Sequence, residues 1–213
     1  MPAQIKNANT VNRVYNYIYT KKHVQILYTI LRRYLNGTVS CNYNLCSKRG
    51  DQVCIGGDGQ VTMGETAIMK NGAKKVKKIY KNTVLSGFAG SVADAFSLTE
   101  KFESKLDEHG GNLKKAAVAL ANLWRMDKAS RNLEALMIVA DKEDLLVISG
   151  TGEVIVPDQP FVAIGSGGNF AYSAANALYN NTDLSAEEIV RKSLEIAASI
   201  CVYTNDHISV EKL

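Results

Sequence analysis

From Val53 onward, apolar and polar residues fall into short runs of two kinds. Alternating or continuous apolar runs, broken by glycine, asparagine or aspartate, predict strands at Val53–Ile55, Gln60–Met69, Lys74–Tyr80 and Val84–Gly90. The same pattern returns at Leu133–Ala140, Asp144–Ser149, Val154–Val156, Phe161–Gly165 and Ile208–Val210. Between these sets, apolar residues three and four apart predict helices. Ser91–Glu108 carries Ala93, Phe96, Leu98, Phe102 and Leu106 on one face and stops at Gly110-Gly111; Asn112–Trp124 carries Leu113, Ala117, Leu120 and Leu123. Helices follow at Asn169–Tyr179 and from Ser185, where Glu188 three residues on completes a capping-box pattern. Strands, two helices, strands, two helices: this order predicts an α+β fold in which helices cover both outer faces of a pair of sheets.

The start of the chain reads differently. Residues 1–47 hold six of the ten tyrosines and no acidic residue. Val24 to Tyr34 has helical spacing, with Ile26, Leu27, Ile30 and Leu31. The segment is basic and acid-poor like a transit peptide but holds only two serines, Ser40 and Ser47, so the fit is partial. Residues 1–37 are therefore read as an N-terminal extension (propeptide, presequence or out-of-frame translation) and 38–213 as one domain.

The length of 213 residues suits a single domain with a real core. The net charge of +4 conceals an asymmetry: residues 1–50 hold eight Lys or Arg, leaving 17 basic against 21 acidic residues in the remainder. That remainder is mildly acidic, so neither nucleic acid nor a membrane surface is expected as a partner. The cysteines, Cys41, Cys46, Cys54 and Cys201, form no C-x-x-C pair and read as free thiols of a reducing compartment.

Chemistry gathers between Val53 and Lys78. A short apolar run ends in a Gly56-Gly57-Asp58-Gly59 corner, with Asp58 as its one charged group. A lysine cluster follows, in which Lys75 and Lys77 alternate with Val76 and so share a strand face. A buried lysine held by a fixed aspartate handles protons; a solvated basic hairpin is the plainer reading, and the pattern leaves both open. The glycine-rich end of Val84–Gly90 offers backbone N–H groups to developing negative charge. Gly165-Ser166-Gly167 is no G-x-S-x-G elbow, because residue 164 is Ile.

The chain from about Val53 to Leu213 resembles the HslV (ClpQ) family of proteasome-like peptidases. The resemblance is carried by Ile55-Gly-Gly-Asp-Gly-Gln-Val-Thr, Ala73-Lys-Lys-Val, Gly87-Phe-Ala-Gly-Ser-Val-Ala-Asp-Ala-Phe, Ala163-Ile-Gly-Ser-Gly-Gly and Cys201-Val-Tyr-Thr-Asn. It implies a four-layer α-β-β-α sandwich of the N-terminal-nucleophile hydrolase type. It also implies a double ring of six-membered rings, partnered by a hexameric HslU-type ATPase that feeds unfolded protein, in the bacterial cytoplasm. An organellar location follows instead if residues 1–37 are a presequence.

In this family the first residue of the mature chain is a threonine. Its hydroxyl attacks the peptide carbonyl and its own amine is the base, so no histidine is needed. The resemblance implies that Lys75 lowers the nucleophile's pKa, Asp58 pairs with Lys75, Ser166 joins the hydrogen-bond network and Gly90 supplies the oxyanion N–H. It further implies a sodium ion on the backbone carbonyls of Ala198, Cys201 and Thr204. The family's Thr-Thr-Ile start aligns, without gaps, with Asn42-Tyr43-Asn44. The nearest glycine-preceded threonine is Thr38, the candidate nucleophile if the first strand carries an insertion. Otherwise the nucleophile is missing and the chain is a catalytically silent ring subunit. A third possibility is a frame slip: the codons of Cys41–Asn44, read one nucleotide later, permit Thr-Thr-Ile at the last three positions.

Overall fold

The computed structural model describes residues 39–41, 43–63, 66–126 and 135–213; the candidate helix at 24–34 and the extension lie outside them. Val39–Leu213 forms one compact unit. The strands are β1 (Val39–Cys41), β2 (Tyr43–Arg49), β3 (Gln52–Gly57), β4 (Val61–Met63), β5 (Ala67–Lys70), β6 (Val76–Ile79), β7 (Val84–Ser91), β8 (Ala135–Ala140), β9 (Leu145–Ser149), β10 (Val154–Ile155), β11 (Phe161–Gly165) and β12 (Ser209–Lys212). The helices, numbered here among the described residues, are α1 (Val92–Glu108), α2 (Leu113–Met126), α3 (Gly168–Asn181) and α4 (Ala186–Ala198). None of them is long and apolar enough to cross a membrane.

The strands form two sheets. One runs β10-β9-β8-β7-β1-β4-β5, with β6 also on β7; the other runs β11-β2-β3-β12. Side-chain alternation divides most of the buried strand residues among three apolar layers, with Val61 and Phe88 in a smaller fourth cluster. In β8, Met137 and Val139 meet the α1–α2 layer, with Phe102, Leu106, Leu113 and Leu120. Their neighbours Ile138 and Ala140 point the other way, into the space between the sheets, with Ile55, Val76 and Leu85. In β2, Tyr43 and Leu45 pack on Ile189, Val190 and Leu194 of α4, while Cys46 faces the inter-sheet layer. Burial on both faces explains why β8 reads as a continuous apolar run. The four-layer α-β-β-α sandwich is thus as expected.

Two elements depart from the sequence pattern. The run Gln60–Met69 is not one strand: β4 and β5 pair antiparallel as a hairpin, with a register shift between Val61 and Thr62. Tyr43–Arg49, which falls in the tyrosine-rich stretch, is the strand between β11 and β3 and has five consecutive buried residues. Its ladder on β3 runs from Asn44↔Gly57 to Arg49↔Gln52. Two of the basic residues in that stretch are used internally. Lys48 donates to the Lys142 carbonyl at 3.0 Å. Arg49 donates to the carbonyls of Thr182, Leu184 and Tyr179, satisfying oxygens left over where α3 ends, and lies 4.3 Å from the Tyr179 ring centroid.

Cys46, Cys54 and Cys201 are free and buried. Burial pushes the Cys54 thiol up to about 12, and Cys46 is pushed up further by the same cause. Cys46 and Cys54 also face different layers, so they cannot pair. Both are expected to resist alkylation in the native protein and to react fully in denaturant; labelling of either within minutes at neutral pH would mean that the β2–β3 hairpin opens.

Candidate active site

The site is built at the ends of strands where the sheets meet. The β3 strand ends at Gly57, which faces Asn44 on one side and Ser209 on the other. A Cβ at Gly57 would stand 2.3 Å from Asn44 Oδ1 and 3.4 Å from Lys75 Cβ, so only glycine lets these chains approach. Asp58 follows at once and is fully buried. Its Oδ1 accepts from Lys75 Nζ at 2.5 Å, and its Oδ2 accepts from the Gln60 N–H at 3.0 Å. The Tyr43 N–H also donates to this carboxylate. Burial drives the Asp58 carboxyl above its ordinary range, while the Lys75 charge and the N–H donors pull against that rise.

Lys75 is 1 % exposed, whereas Lys74, Lys77 and Lys78 face solvent. The alternation that put Lys75 and Lys77 on one face does not apply, because Lys75 precedes β6 and belongs to the irregular stretch after β5. Of the two readings left open by the sequence, the buried pair is the one observed.

That irregular stretch is fixed by a residue the sequence reading missed. Asn205 Oδ1 accepts from the Gly59 N–H at 3.0 Å, and Asn205 Nδ2 donates to the Asn71 carbonyl at 2.9 Å. Ala73 N–H donates to the Gly59 carbonyl at 2.9 Å. One amide side chain thus ties the Asp58 corner to the loop that delivers Lys75. Its signal was present as the last residue of Cys201-Val-Tyr-Thr-Asn, a motif read for its carbonyls alone.

Three further elements converge on the start of β2. Gly165, at φ 94°, pairs with Tyr43, so Ser166 sits one residue beyond the partner of Tyr43. The next residue, Gly167, packs on the Tyr43 ring and on Thr204: a Cβ there would meet Tyr43 Cγ at 3.2 Å and Thr204 Cγ2 at 3.0 Å. Tyr43 donates its hydroxyl to the Leu194 carbonyl at 2.6 Å, and burial raises its pKa well above the ordinary tyrosine range. From the other sheet, Gly90, at φ 117°, pairs with Cys41. Position 42 therefore lies in the chain between a residue on Gly90 and a residue whose N–H reaches Asp58. Asp58 and Lys75 are in direct contact, while Gly90 and Ser166 are tied to them only through neighbouring strands: Gly90 lies opposite Cys41, and Ser166 follows the partner of Tyr43, whose N–H reaches Asp58. Thr38 lies outside the described residues.

Ala198, Cys201 and Thr204 span the end of α4 and the turn after it. The Cys201 carbonyl accepts from Thr204 Oγ1 at 2.7 Å and from the Thr204 N–H at 3.2 Å. Among the described residues no cluster of His, Cys, Asp or Glu could hold a metal. Neutral carbonyl oxygens belong to the ligand class of hard cations and not of zinc, and of the three the Cys201 oxygen already accepts twice from Thr204.

The proteasome-subunit family profile matches residues 44–213. The chain belongs to the proteasome family. Within it, the ATP-dependent protease subunit HslV of Caldanaerobacter subterraneus subsp. tengcongensis is 62% identical over 166 residues, covering 78% of this chain and 94% of that protein. HslV of Thermoanaerobacter pseudethanolicus is 60% identical over the same share of each. In structure, the eukaryotic HslV of Trypanosoma brucei superposes with a TM-score of 0.76 at 48% identity, covering 80% of this chain and 98% of that one. A Thiobacillus denitrificans protein, BPH, reaches 0.65 at 16% identity and shares the fold. This places the chain on the HslV branch of the family and accounts for the layered fold.

Proposed function

We propose that this chain is the peptidase subunit of a two-component ATP-dependent protease, cleaving unfolded proteins handed to it by a hexameric HslU-type ATPase. The observation that carries the reading is the buried Lys75–Asp58 pair beside the start of β2. An N-terminal nucleophile needs a base and a nearby positive charge; its own α-amine, with a pKa near 8, is the base. Lys75 supplies the charge, Asp58 holds Lys75 in place, and Gly90 offers an N–H to the oxyanion. Ser166 orients the amine from the turn after β11, the neighbour of β2 in its own sheet. Assembly as two stacked six-membered rings and a bacterial cytoplasmic setting belong to the same reading. So does a sodium ion, which the carbonyls of Ala198, Cys201 and Thr204 would hold and which would supply fixed positive charge there.

The nucleophile divides two readings. With Thr38 as the mature first residue, β1 must leave its place in the sheet, since its three residues, Val39 to Cys41, lie between Thr38 and position 42. The second reading, a silent ring subunit, is favoured by Asn42, which has no hydroxyl, at the position between Cys41 and Tyr43. Mass spectrometry of the purified protein, paired with fluorogenic-peptide hydrolysis, separates them. A mature terminus at Thr38 with turnover establishes the peptidase in this form of the chain. An intact Met1 or Pro2 terminus with no turnover, even with an HslU-type ATPase and ATP, leaves the silent subunit.

A further inference from the structure

Asparagine is among the thermally labile residues. Its side-chain amide is lost fastest before a glycine, where no Cβ shields the backbone nitrogen that attacks it. The chain holds two Asn-Gly pairs, Asn36-Gly37 and Asn71-Gly72, the first of them outside the described residues. It also holds one Asp-Gly pair, Asp58-Gly59, whose side chain is placed for the same ring closure. Asp58-Gly59 is locked. Its Gly59 N–H donates to Asn205 Oδ1 at 3.0 Å, Asp58 is fully buried, and a Cβ on Gly59 would run into the Asn71 carbonyl. Asn71-Gly72 is open. Both residues are exposed, in the bend that follows β5. Among the described residues the Gly72 N–H makes no hydrogen bond. The Asn71 amide is held only by a long contact, Oδ1 to Asn205 Nδ2 at 3.4 Å. Gly72 lies outside the left-handed region, and a Cβ on it would meet nothing within 4 Å, so neither backbone nor packing calls for glycine there. Exposed Lys70 and Lys74 flank the pair, and positive charge favours the deprotonated nitrogen that attacks.

We propose that Asn71 is a self-modification site: it isomerises spontaneously to isoaspartate, and the change releases the loop that delivers Lys75. The Gly72 nitrogen gives up its proton and bonds to Asn71 Cγ. The Cγ–Nδ2 bond breaks, and ammonia leaves with that proton. Water then opens the succinimide ring at either carbonyl, giving aspartate or isoaspartate. In isoaspartate the main chain runs through Cβ and Cγ, so the link from β5 to Lys75 is one carbon longer. The former main-chain carbonyl becomes a free carboxylate. That carbonyl is the one Asn205 Nδ2 holds at 2.9 Å and the one packed against Gly59. A negative charge therefore arrives beside the Asp58 corner just as the staple across it is lengthened. The pair Lys75–Asp58 is then buried in a loop that no longer closes over it, and the site has a chemical lifetime set by Asn71. No step uses a nucleophilic threonine, so the modification stands apart from the peptidase reading.

The test ages the full chain at mildly alkaline pH and samples it with time. Isoaspartate is labelled by an isoaspartyl methyltransferase with radioactive S-adenosylmethionine and assigned by peptide mapping. Exposure of Lys75 is read by brief acetylation of the folded chain. Both residues fall on the one peptide between Glu65 and Glu100, so the two changes are counted on the same molecules. Label should accumulate at Asn71 and not at Asp58, and should fall to background at that position in Gly72→Ala, while Asn36 is labelled equally in both chains. Peptides carrying isoaspartate should also carry acetylated Lys75, with Cys46 and Cys54 still protected from alkylation. Freshly prepared Asn205→Ala should expose Lys75 without any isoaspartate. No more label at Asn71 than in Gly72→Ala overturns the proposal. So does isoaspartate at Asn71 with Lys75 as protected as in the fresh chain, a comparison that decides the matter even if Asn205→Ala does not fold. Turnover enters none of these measurements, so a failure here leaves the peptidase reading untouched.

Discussion

A chain that begins at position 42 and carries Asn42→Thr hydrolyses fluorogenic peptides at least about 100-fold faster than the same chain with asparagine, the low end of what a positioned proton-transfer group contributes. The expectation follows from what already surrounds that position. Tyr43 donates its N–H to Asp58, Asp58 holds Lys75 at 2.5 Å, and Cys41 lies opposite Gly90. The missing pieces are one hydroxyl and one free amine, and a threonine as first residue supplies both. Adding Lys75→Met to that chain should return turnover to the asparagine background, because the positive charge beside the nucleophile is gone. If instead a chain beginning at Thr38 turns over and the substituted one does not, the nucleophile is Thr38, and β1 has been rebuilt as the leading part of an extended first strand.

The sequence predicted the layered fold from periodicity because β8 and β9 are buried at every position but Leu136 and apolar at every position but Ser149, while α1 and α2 follow the helical period. It failed at β2 for a physical reason. Tyr43, Asn44 and Ser47 are polar or mixed in character, yet all are fully buried. Tyr43 is accommodated by its bond to the Leu194 carbonyl. Asn44 donates to the Phe88 carbonyl across the two sheets at 2.5 Å, but its Oδ1 has no partner. An unsatisfied buried amide oxygen disfavours this strand relative to the apolar residue that the family start places there. A frame slip through these codons, returning Thr-Thr-Ile, would remove that cost. The candidate site was legible where the chain is locally constrained: the Gly57-Asp58 corner and the Gly165–Gly168 turn announce themselves as glycine clusters. Lys75 was legible as a lysine but not as the buried one of its cluster, because its environment comes from the distant Asn205 staple and not from the strand period.

Replacing Asp58 by alanine is expected to lower the unfolding free energy by about 3–5 kcal/mol, the usual cost of leaving one member of a buried ion pair without its partner. Both side chains are fully excluded from water, so Lys75 would lose its ion-pair partner without gaining solvent. Lys75→Met should cost less in acid than at neutral pH. Asp58 keeps its Gln60 and Tyr43 N–H donors, but its carboxyl already lies above the ordinary range through burial, and losing the ammonium raises it further. A carboxyl raised in the folded state stabilises the protein most below its unfolded pKa, near 3.9, and that contribution is lost as pH climbs through the folded value. Urea unfolding of Lys75→Met at pH 4 and pH 7 should therefore show the larger deficit at pH 7, and a deficit equal at both would mean that Asp58 stays charged without its partner. The double replacement Asp58→Leu with Lys75→Met should recover part of the loss, since it leaves no charge in the interior. It should do so while abolishing turnover in the chain with the introduced threonine. Recovered stability with lost turnover would assign the pair to chemistry and not to holding the fold together.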